Sequence, residues 1–213
     1  ITFFLHDFFW SYYVMKPSSI GKSILNQKTI ANEISITGKG LHYGTTNTVC
    51  LYPNAPNTGR QFYIQDQIIP AHFQYVKDTS FCTSLQKNNV SIQTIEHLLA
   101  AINGLQIDNI MIHIQGDEIP ILDGSAAQWV ALLHKAQIKQ QPDPKHVISP
   151  QKKLFFSQQD RWISLTPADH LAITSEIYFP HPMIGEQKAT FFITPETFLQ
   201  QIAPARTFGF VKD

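Results

Sequence analysis

The chain has 213 residues, a length that fits one large domain or two domains of about 100 residues each. Hydrophobic residues make up 43% and charged residues only 15%, so a substantial core can form. Lysine plus arginine equals aspartate plus glutamate at 16 each, a balance that disfavours nucleic-acid binding, which normally needs a basic excess. The two cysteines, Cys50 and Cys82, form no C-x-x-C pair and fit a reducing compartment, so we expect a cytoplasmic protein.

Residues 1–26 are interpreted as an N-terminal extension. The first 14 residues are strongly aromatic, which raises an export signal or a membrane anchor as alternatives. The run is shorter than the about 20 residues that span a bilayer, and no basic segment precedes it, so we expect no stable membrane insertion. Met15 is a more natural start, which marks residues 1–14 as an upstream extension or as a sign of a fragment.

Strand-like runs precede two helical segments between residues 27 and 140, the predicted first domain. The predicted strands are residues 30–37, 48–52, 60–65, 68–72 and 109–115. Apolar residues at helical spacing predict a helix over residues 91–105, which ends at Asn103-Gly104. Ser125 is expected to cap a second helix over residues 126–136.

Residues 141–146 are predicted to be a linker, because two prolines lie there among polar residues. The predicted strands after it are residues 146–148, 153–157, 162–166 and 171–179, and a helix over residues 195–202 follows them. Strands followed by helix thus recur on both sides of the linker. The fold class is therefore predicted as α+β, with two similar layered β/α sandwich domains of which the second, residues 147–213, is incomplete.

Glu96 and His97 stand side by side in the first predicted helix. Adjacent helical residues point about 100° apart, so the two side chains do not comfortably ligate one ion. A histidine ligand beside a glutamate base is nevertheless feasible, because zinc lowers the pKa of a bound water towards about 7 and the carboxylate can take its proton. The alternative is a solvated glutamate next to a satisfied interior histidine, and the dipeptide alone favours that alternative.

Other catalytic patterns find no support. His113 has an acid four residues later, Asp117, but the segment alternates like a strand, on which these positions lie about 13 Å apart. That distance is too long for one shared ion. The sequence contains no G-x-S-x-G, G-x-G-x-x-G or G-x-x-x-x-G-K-[ST] motif, which disfavours serine hydrolases and nucleotide-binding folds.

Five segments occur together in an order that is specific for one family. They are Gly38–Gly44, Thr94–Ala101, Ile107–Asn109, Glu118–Ala126 and Ala205–Phe210. From about residue 27 to residue 213 the chain resembles the UDP-3-O-acyl-N-acetylglucosamine deacetylases, the zinc amidases that commit carbon flow to lipid A. The resemblance implies two domains of similar layered topology with the active site between them. It also implies a catalytic Zn²⁺ that activates water, and UDP-3-O-acyl-N-acetylglucosamine as the substrate; we expect a monomer.

The resemblance assigns chemical roles to four residues. His97 is similar to the first zinc ligand of the family, and Glu96 is similar to its general base. Thr207 resembles the hydroxyl residue that helps to hold the tetrahedral intermediate. Phe208 resembles the aromatic residue that lies against the sugar of the substrate.

Phe81, Cys82 and Thr83 match the family segment that contacts the acyl chain and the floor of the site. Phenylalanine stands at position 81 where the family pattern has leucine, a difference that bears on the fit of the acyl chain. Without the family context, Phe81 and Phe208 are interpreted as core aromatic residues and Cys82 as a small buried hydrophobic residue.

Two zinc ligands of the family pattern have no counterpart in the 213 residues. The family takes them from a later His-Lys-x-x-Asp helix, and a further histidine protonates the leaving amine. A catalytic zinc normally keeps three protein ligands, so we expect this chain alone neither to hold zinc tightly nor to turn over substrate.

The alternatives are a fragment of a longer enzyme, whose missing ligands lie beyond Asp213, and a decayed reading frame. An immediate in-frame stop codon after Asp213 would decide against the longer enzyme. A non-enzymatic acyl-chain-binding domain is a further alternative.

Overall fold

The computed structural model describes residues 25–147 and 150–207. Nearly all of the predicted N-terminal extension therefore lies outside the described residues, and so does Phe208. The described strands are β1 (Asn26–Ile30), β2 (Ile34–Lys39), β3 (Thr46–Pro53), β4 (Arg60–Ile64), β5 (Gln67–Pro70), β6 (Val76–Asp78), β7 (Ser84–Lys87), β8 (Val90–Ile92), β9 (Ile110–Gln115), β10 (Ile138–Pro144), β11 (Leu154–Gln158), β12 (Arg161–Leu165), β13 (Ala172–Phe179) and β14 (Gly185–Phe192). The helices are α1 (Glu96–Gly104), α2 (Ala127–Lys135) and the short α3 (Pro195–Thr197), which continues into a π-helical turn, Phe198–Ile202.

The largest sheet among the described residues has five strands in the order β2-β3-β9-β4-β5. Neighbouring strands run antiparallel except β4 and β9, which are parallel. On β9, Ile110, Ile112 and Ile114 are buried and alternate with half-buried Met111 and His113. This period of two places one apolar face of the sheet towards the core.

Helices α1 and α2 pack against each other, and their buried side chains belong to the same hydrophobic core as the buried face of the sheet. The side chains that α2 contributes are Trp129, Val130, Leu132 and Leu133, and their spacing confirms the predicted second helix. The predicted α+β fold class is thereby confirmed. No helix among residues 25–147 and 150–207 combines the length and the apolar character that crossing a bilayer requires.

The first helix begins five residues later than the predicted residue 91. Val90–Ile92 form β8, which pairs with β7, and Thr94 has a φ of +60°. A residue in this left-handed region does not continue a right-handed helix, so α1 starts only at Glu96. Apolar spacing alone did not distinguish these strand residues from the first turn of a helix.

The residues predicted as a linker, 141–146, are mostly strand. Strand β10 pairs antiparallel with β1 in a two-stranded sheet, so among the described residues it is an edge strand. Such an edge tolerates Pro142 and Pro144, which have no N–H to donate. The side chain of Gln141 is buried and donates a hydrogen bond to Asn54 O at 2.8 Å. This polar residue therefore belongs to the interior and not to an exposed linker.

The described residues from 150 onward form two antiparallel hairpins, β11–β12 and β13–β14, followed by α3. Strand β14 was not predicted, because its half-buried and exposed residues alternate without a strongly apolar face. Large apolar side chains on these hairpins are exposed: Leu154, Phe155, Phe156, Trp162, Leu165, Tyr178 and Phe192. The boundaries of the two predicted domains, 27–140 and 147–213, stay a prediction.

A buried amide network ties β1, β9 and β10 together. Asn109 is 1% exposed, and its Nδ2 donates to Gln27 Oε1 and to Gln141 Oε1, both at 2.7 Å. Its Oδ1 accepts from the backbone N–H of Gly59 at 2.8 Å. One side chain thus hydrogen-bonds to two buried glutamine side chains and to one backbone N–H.

Replacement of Asn109 by alanine should lower the free energy of unfolding by about 1–3 kcal/mol, because buried partners of the amide lose their hydrogen bonds. Urea denaturation of the chain measures this change. Asn89→Ala, at an exposed turn position, is the matched control and should change stability by less than about 0.5 kcal/mol. Equal stability of the two variants would show that the network contributes little.

Candidate active site

Glu96 opens helix α1 and faces the segment that contains residues 82 and 83. The backbone N–H of Thr83 donates to Glu96 Oε2 at 3.1 Å. The backbone N–H of Ile95 donates in turn to Thr83 O at 3.4 Å. The structure therefore brings the predicted base together with two of the predicted substrate-binding residues, Cys82 and Thr83.

Burial raises the pKa of Glu96 to about 7, because the charged carboxylate is poorly solvated there. The hydrogen bond from Thr83 acts in the opposite direction, and the nearby Glu118 carboxylate raises the pKa further. A carboxyl group with a pKa near 7 is well matched to general-base chemistry at neutral pH. The alternative of a fully solvated Glu96 is wrong.

His97 follows Glu96 directly and is half-buried. Among residues 25–147 and 150–207, no three His, Cys, Asp or Glu side chains are grouped as a metal site requires. The described residues therefore provide one candidate imidazole ligand and one candidate base, but not a complete zinc centre.

The three residues of the predicted acyl-chain segment have very different environments. Phe81 is 81% exposed, so its interpretation as a core aromatic residue is wrong. Cys82 is buried, which raises the pKa of its thiol, and its Sγ lies 3.8 Å from Gln93 Oε1. Thr83 is also buried, and its Oγ1 has no hydrogen-bond partner among the described residues.

Thr207 lies against the turn that precedes α2. Its backbone N–H donates to Gly124 O at 2.8 Å, and Arg206 Nε donates to Asp123 O at 2.7 Å. Gly124 has a φ of +80°, and a Cβ there would lie 3.4 Å from Thr207 Cγ2. Ser125 Oγ accepts a hydrogen bond from the N–H of Ala127, the first residue of α2, at 3.1 Å, but the N-cap residue is Ala126 and not the predicted Ser125. This turn places Thr207; its predicted contact with the substrate stays a prediction.

Two residues that bear on the site were not singled out from the sequence. Glu118 is fully buried, and its Oε1 accepts a hydrogen bond from Thr94 Oγ1 at 2.9 Å. The sequence gives no clear signal for its burial, because a glutamate is seldom fully buried unless its carboxyl group is paired or hydrogen-bonded.

Comparison with known proteins shows the family of the chain. The profile of the UDP-3-O-acyl N-acetylglycosamine deacetylase family matches residues 27–213. The chain belongs to this family. The match contains both Glu96-His97 and the Arg206-Thr207 segment, and it confirms the resemblance drawn from the five motifs.

Proteins named UDP-3-O-acyl-N-acetylglucosamine deacetylase resemble the chain over most of its length. The one from Oleidesulfovibrio alaskensis is 42% identical over 194 residues, which cover 89% of this chain and 63% of that protein. The one from Myxococcus xanthus is 39% identical over 203 residues, which cover 93% of the chain and 63% of that protein. The one from Histophilus somni is 40% identical over 197 residues, covering 89% and 65%. The chain thus spans slightly less than two thirds of these relatives.

The raised pKa of Glu96 predicts a specific pH dependence of stability in the metal-free chain. Native Glu96 keeps its proton up to about pH 7, whereas the unfolded chain loses it near the ordinary value of 4.5. The native state therefore binds more protons between these values, and the free energy of unfolding should fall by about 1–3 kcal/mol as the pH rises from about 5 to about 8.

Urea denaturation at both pH values, with chelator present, measures this component. Glu96→Gln should remove it, because glutamine does not titrate. Glu33→Gln, at an exposed position, should keep the pH dependence of the unmodified chain. An unchanged pH dependence in Glu96→Gln would contradict the assignment.

Proposed function

We propose that the protein to which this chain belongs hydrolyses the N-acetyl group of UDP-3-O-acyl-N-acetylglucosamine and releases acetate, the committed step of lipid A biosynthesis. The observation that carries the proposal is the Glu96 carboxyl, held by the Thr83 N–H beside His97 and shifted to a pKa of about 7. The deacetylase names of the relatives supply the substrate.

Glu96 acts as the general base in this proposal. Its carboxylate takes a proton from the attacking water, whose oxygen forms a bond to the carbonyl carbon of the acetamide. The bond between that carbon and the nitrogen then breaks and acetate departs. The nitrogen takes up one proton and leaves as the amine, which balances the proton that Glu96 took from the water. The pKa near 7 lets Glu96 be deprotonated in a useful fraction of molecules and still be basic enough to accept the proton.

Zinc dependence is part of the proposal, with His97 as the first ligand. A bound zinc ion would supply a water molecule with a lowered pKa. The described side chains support zinc binding only in part. They offer one imidazole beside one carboxylate, whereas catalytic zinc sites use three protein ligands. We therefore propose that the described residues alone neither hold zinc tightly nor turn over substrate.

Substrate contacts are assigned to the residues around this base. The exposed ring of Phe81 offers apolar surface for the acyl chain, and buried Cys82 and Thr83 form the floor next to Glu96. Thr207 is proposed to stabilise the tetrahedral intermediate through its hydroxyl, and Phe208 to lie against the sugar. We also propose a cytoplasmic monomer; the two free cysteines fit the reducing compartment.

A second candidate function is acyl-chain binding without catalysis, which the 81% exposure of Phe81 favours. The two functions differ in their response to chelators. Lipid binding through an apolar surface is indifferent to metal removal, whereas a zinc amidase loses activity.

The proposal is tested on the chain extended to the full length of its relatives, by its own continuation or by fusion to the remaining part of the Oleidesulfovibrio alaskensis protein. Glu96→Ala should lower kcat at least about 100-fold, because the base is lost, and leave zinc content unchanged. His97→Ala should lower zinc content. Acetate release and zinc content by mass spectrometry measure both effects.

Exposed residues provide the controls for this experiment. Glu33→Ala and His134→Ala remove the same side-chain types outside the site and should change neither measurement. Full activity of Glu96→Ala would overturn the assignment of the base. Activity that survives chelation would overturn the zinc dependence.

A further inference from the structure

We propose that Glu118 is a positioning residue, which acts through Thr94 to hold Glu96 and His97 at the start of α1. The effect on catalysis rests on the proposed function, whereas the effect on geometry does not. Three segments that are distant in sequence meet at this one carboxylate: the loop after β2, the residue pair before α1, and the stretch after β9.

The carboxylate of Glu118 is fully buried and accepts hydrogen bonds at both oxygens. Oε1 accepts from Leu41 N at 2.7 Å, from His42 N at 3.0 Å and from Thr94 Oγ1 at 2.9 Å. Oε2 accepts longer hydrogen bonds from His42 N at 3.3 Å and from Tyr43 N at 3.4 Å. Three consecutive backbone N–H groups thus surround a side chain that would otherwise be costly to bury.

Thr94 has a backbone conformation that needs such support. Its φ of +60° is rare for a β-branched residue, and the side chain is only 2% exposed. Strained residues of this kind persist where their surroundings fix them, and they cluster at functional sites. Because Thr94 lies two residues before Glu96, its conformation sets the direction in which the chain enters α1.

The stretch after β9 that contains Glu118 fixes the other end of this connection. Gln93 N–H donates to Asp117 O at 3.2 Å, and Ile119 N–H donates to Gln93 O at 3.0 Å. Gln93 and Glu118 form a parallel bridge, so Thr94 and the carboxylate are held in register. The hydrogen bond from the Thr94 hydroxyl to Glu118 then fixes Thr94, which is the one residue between this bridge and Ile95.

The loop after β2 is shaped around the same carboxylate. A Cβ at Gly40 would overlap the carboxyl group of Glu118, so only glycine allows this approach. The following residues are exposed, with Leu41 at 53% and Tyr43 at 61%, although their N–H groups point inward. Glu118 therefore couples an exposed loop to the start of α1.

The first test uses the chain itself and reads the position of Glu96 from the amide exchange of Thr83, whose N–H donates to Glu96. Thr94→Val removes the hydroxyl but keeps the β-branched shape, and it should raise the exchange rate of the Thr83 amide about tenfold. Thr94→Ser keeps the hydroxyl and should preserve the protection. Thr58→Val, which deletes a hydrogen bond to Ala55 O, is the control and should leave the Thr83 amide unchanged.

Glu118→Gln should raise the exchange rates of the Leu41, His42 and Tyr43 amides, because the amide side chain keeps one acceptor oxygen instead of two. Glu118→Gln should also raise the exchange rate of the Thr83 amide. Unchanged exchange of the Thr83 amide in both Thr94→Val and Glu118→Gln would overturn the proposal, whatever the protein catalyses.

The second test measures kinetics in the extended protein described above. Thr94→Val should lower kcat about tenfold and change KM less than about twofold, because a displaced base weakens the transition state more than substrate binding. Thr94→Ser should restore kcat. A lowered melting temperature with unchanged kcat would show a merely structural role and overturn the proposal. An inactive parent protein with the expected exchange changes would instead refute the proposed function and leave the positioning role standing.

Discussion

The hydrogen bonds of the Glu118 carboxylate set the geometry on which the rest of the site depends. They join the loop after β2 and the stretch after β9 to the segment that carries Glu96, the proposed base. An isolated α1 would have no means to fix the residue before its first turn, because no side chain of its own caps it. The described donors of this carboxylate are uncharged, so the site owes its order to directional hydrogen bonds.

The five-stranded sheet and its two helices form the apolar surroundings in which this carboxylate is buried. The core beneath it is apolar and continuous, from Phe62 on β4 to Trp129 on α2, and both side chains are fully buried. Burial of this apolar surface supplies the main stabilisation, at roughly 25 cal/mol per Å². Burial in the protein also limits the hydration of the Glu96 carboxylate and thereby raises its pKa.

The sequence predicted the elements that follow a clear hydrophobic period and the site residues that lie next to each other. The β9 strand and α2 are examples of such elements. The closeness of Glu96 to the Cys82-Thr83 segment was implied only by the family resemblance. The sequence did not predict features whose partners are distant in the chain. Gln141 resembled a linker residue because its partner, Asn109, lies 32 positions away. Similarly, no propensity rule assigns a positive φ to Thr94.

The contact between Phe198 and Gly104 has a consequence for how the chain unfolds. The buried Phe198 ring occupies the space that a Cβ of Gly104 would need, so the π-helical turn after α3 rests directly on α1. Residues 198–207 should therefore open only together with the α1–α2 layer, whereas the exposed hairpins between them and β10 should open at lower free energy. The chain is thus expected to unfold in a spatial order that differs from its sequence order, and the hydrogen bond from Thr207 N–H to Gly124 O ties Thr207 to the turn before α2.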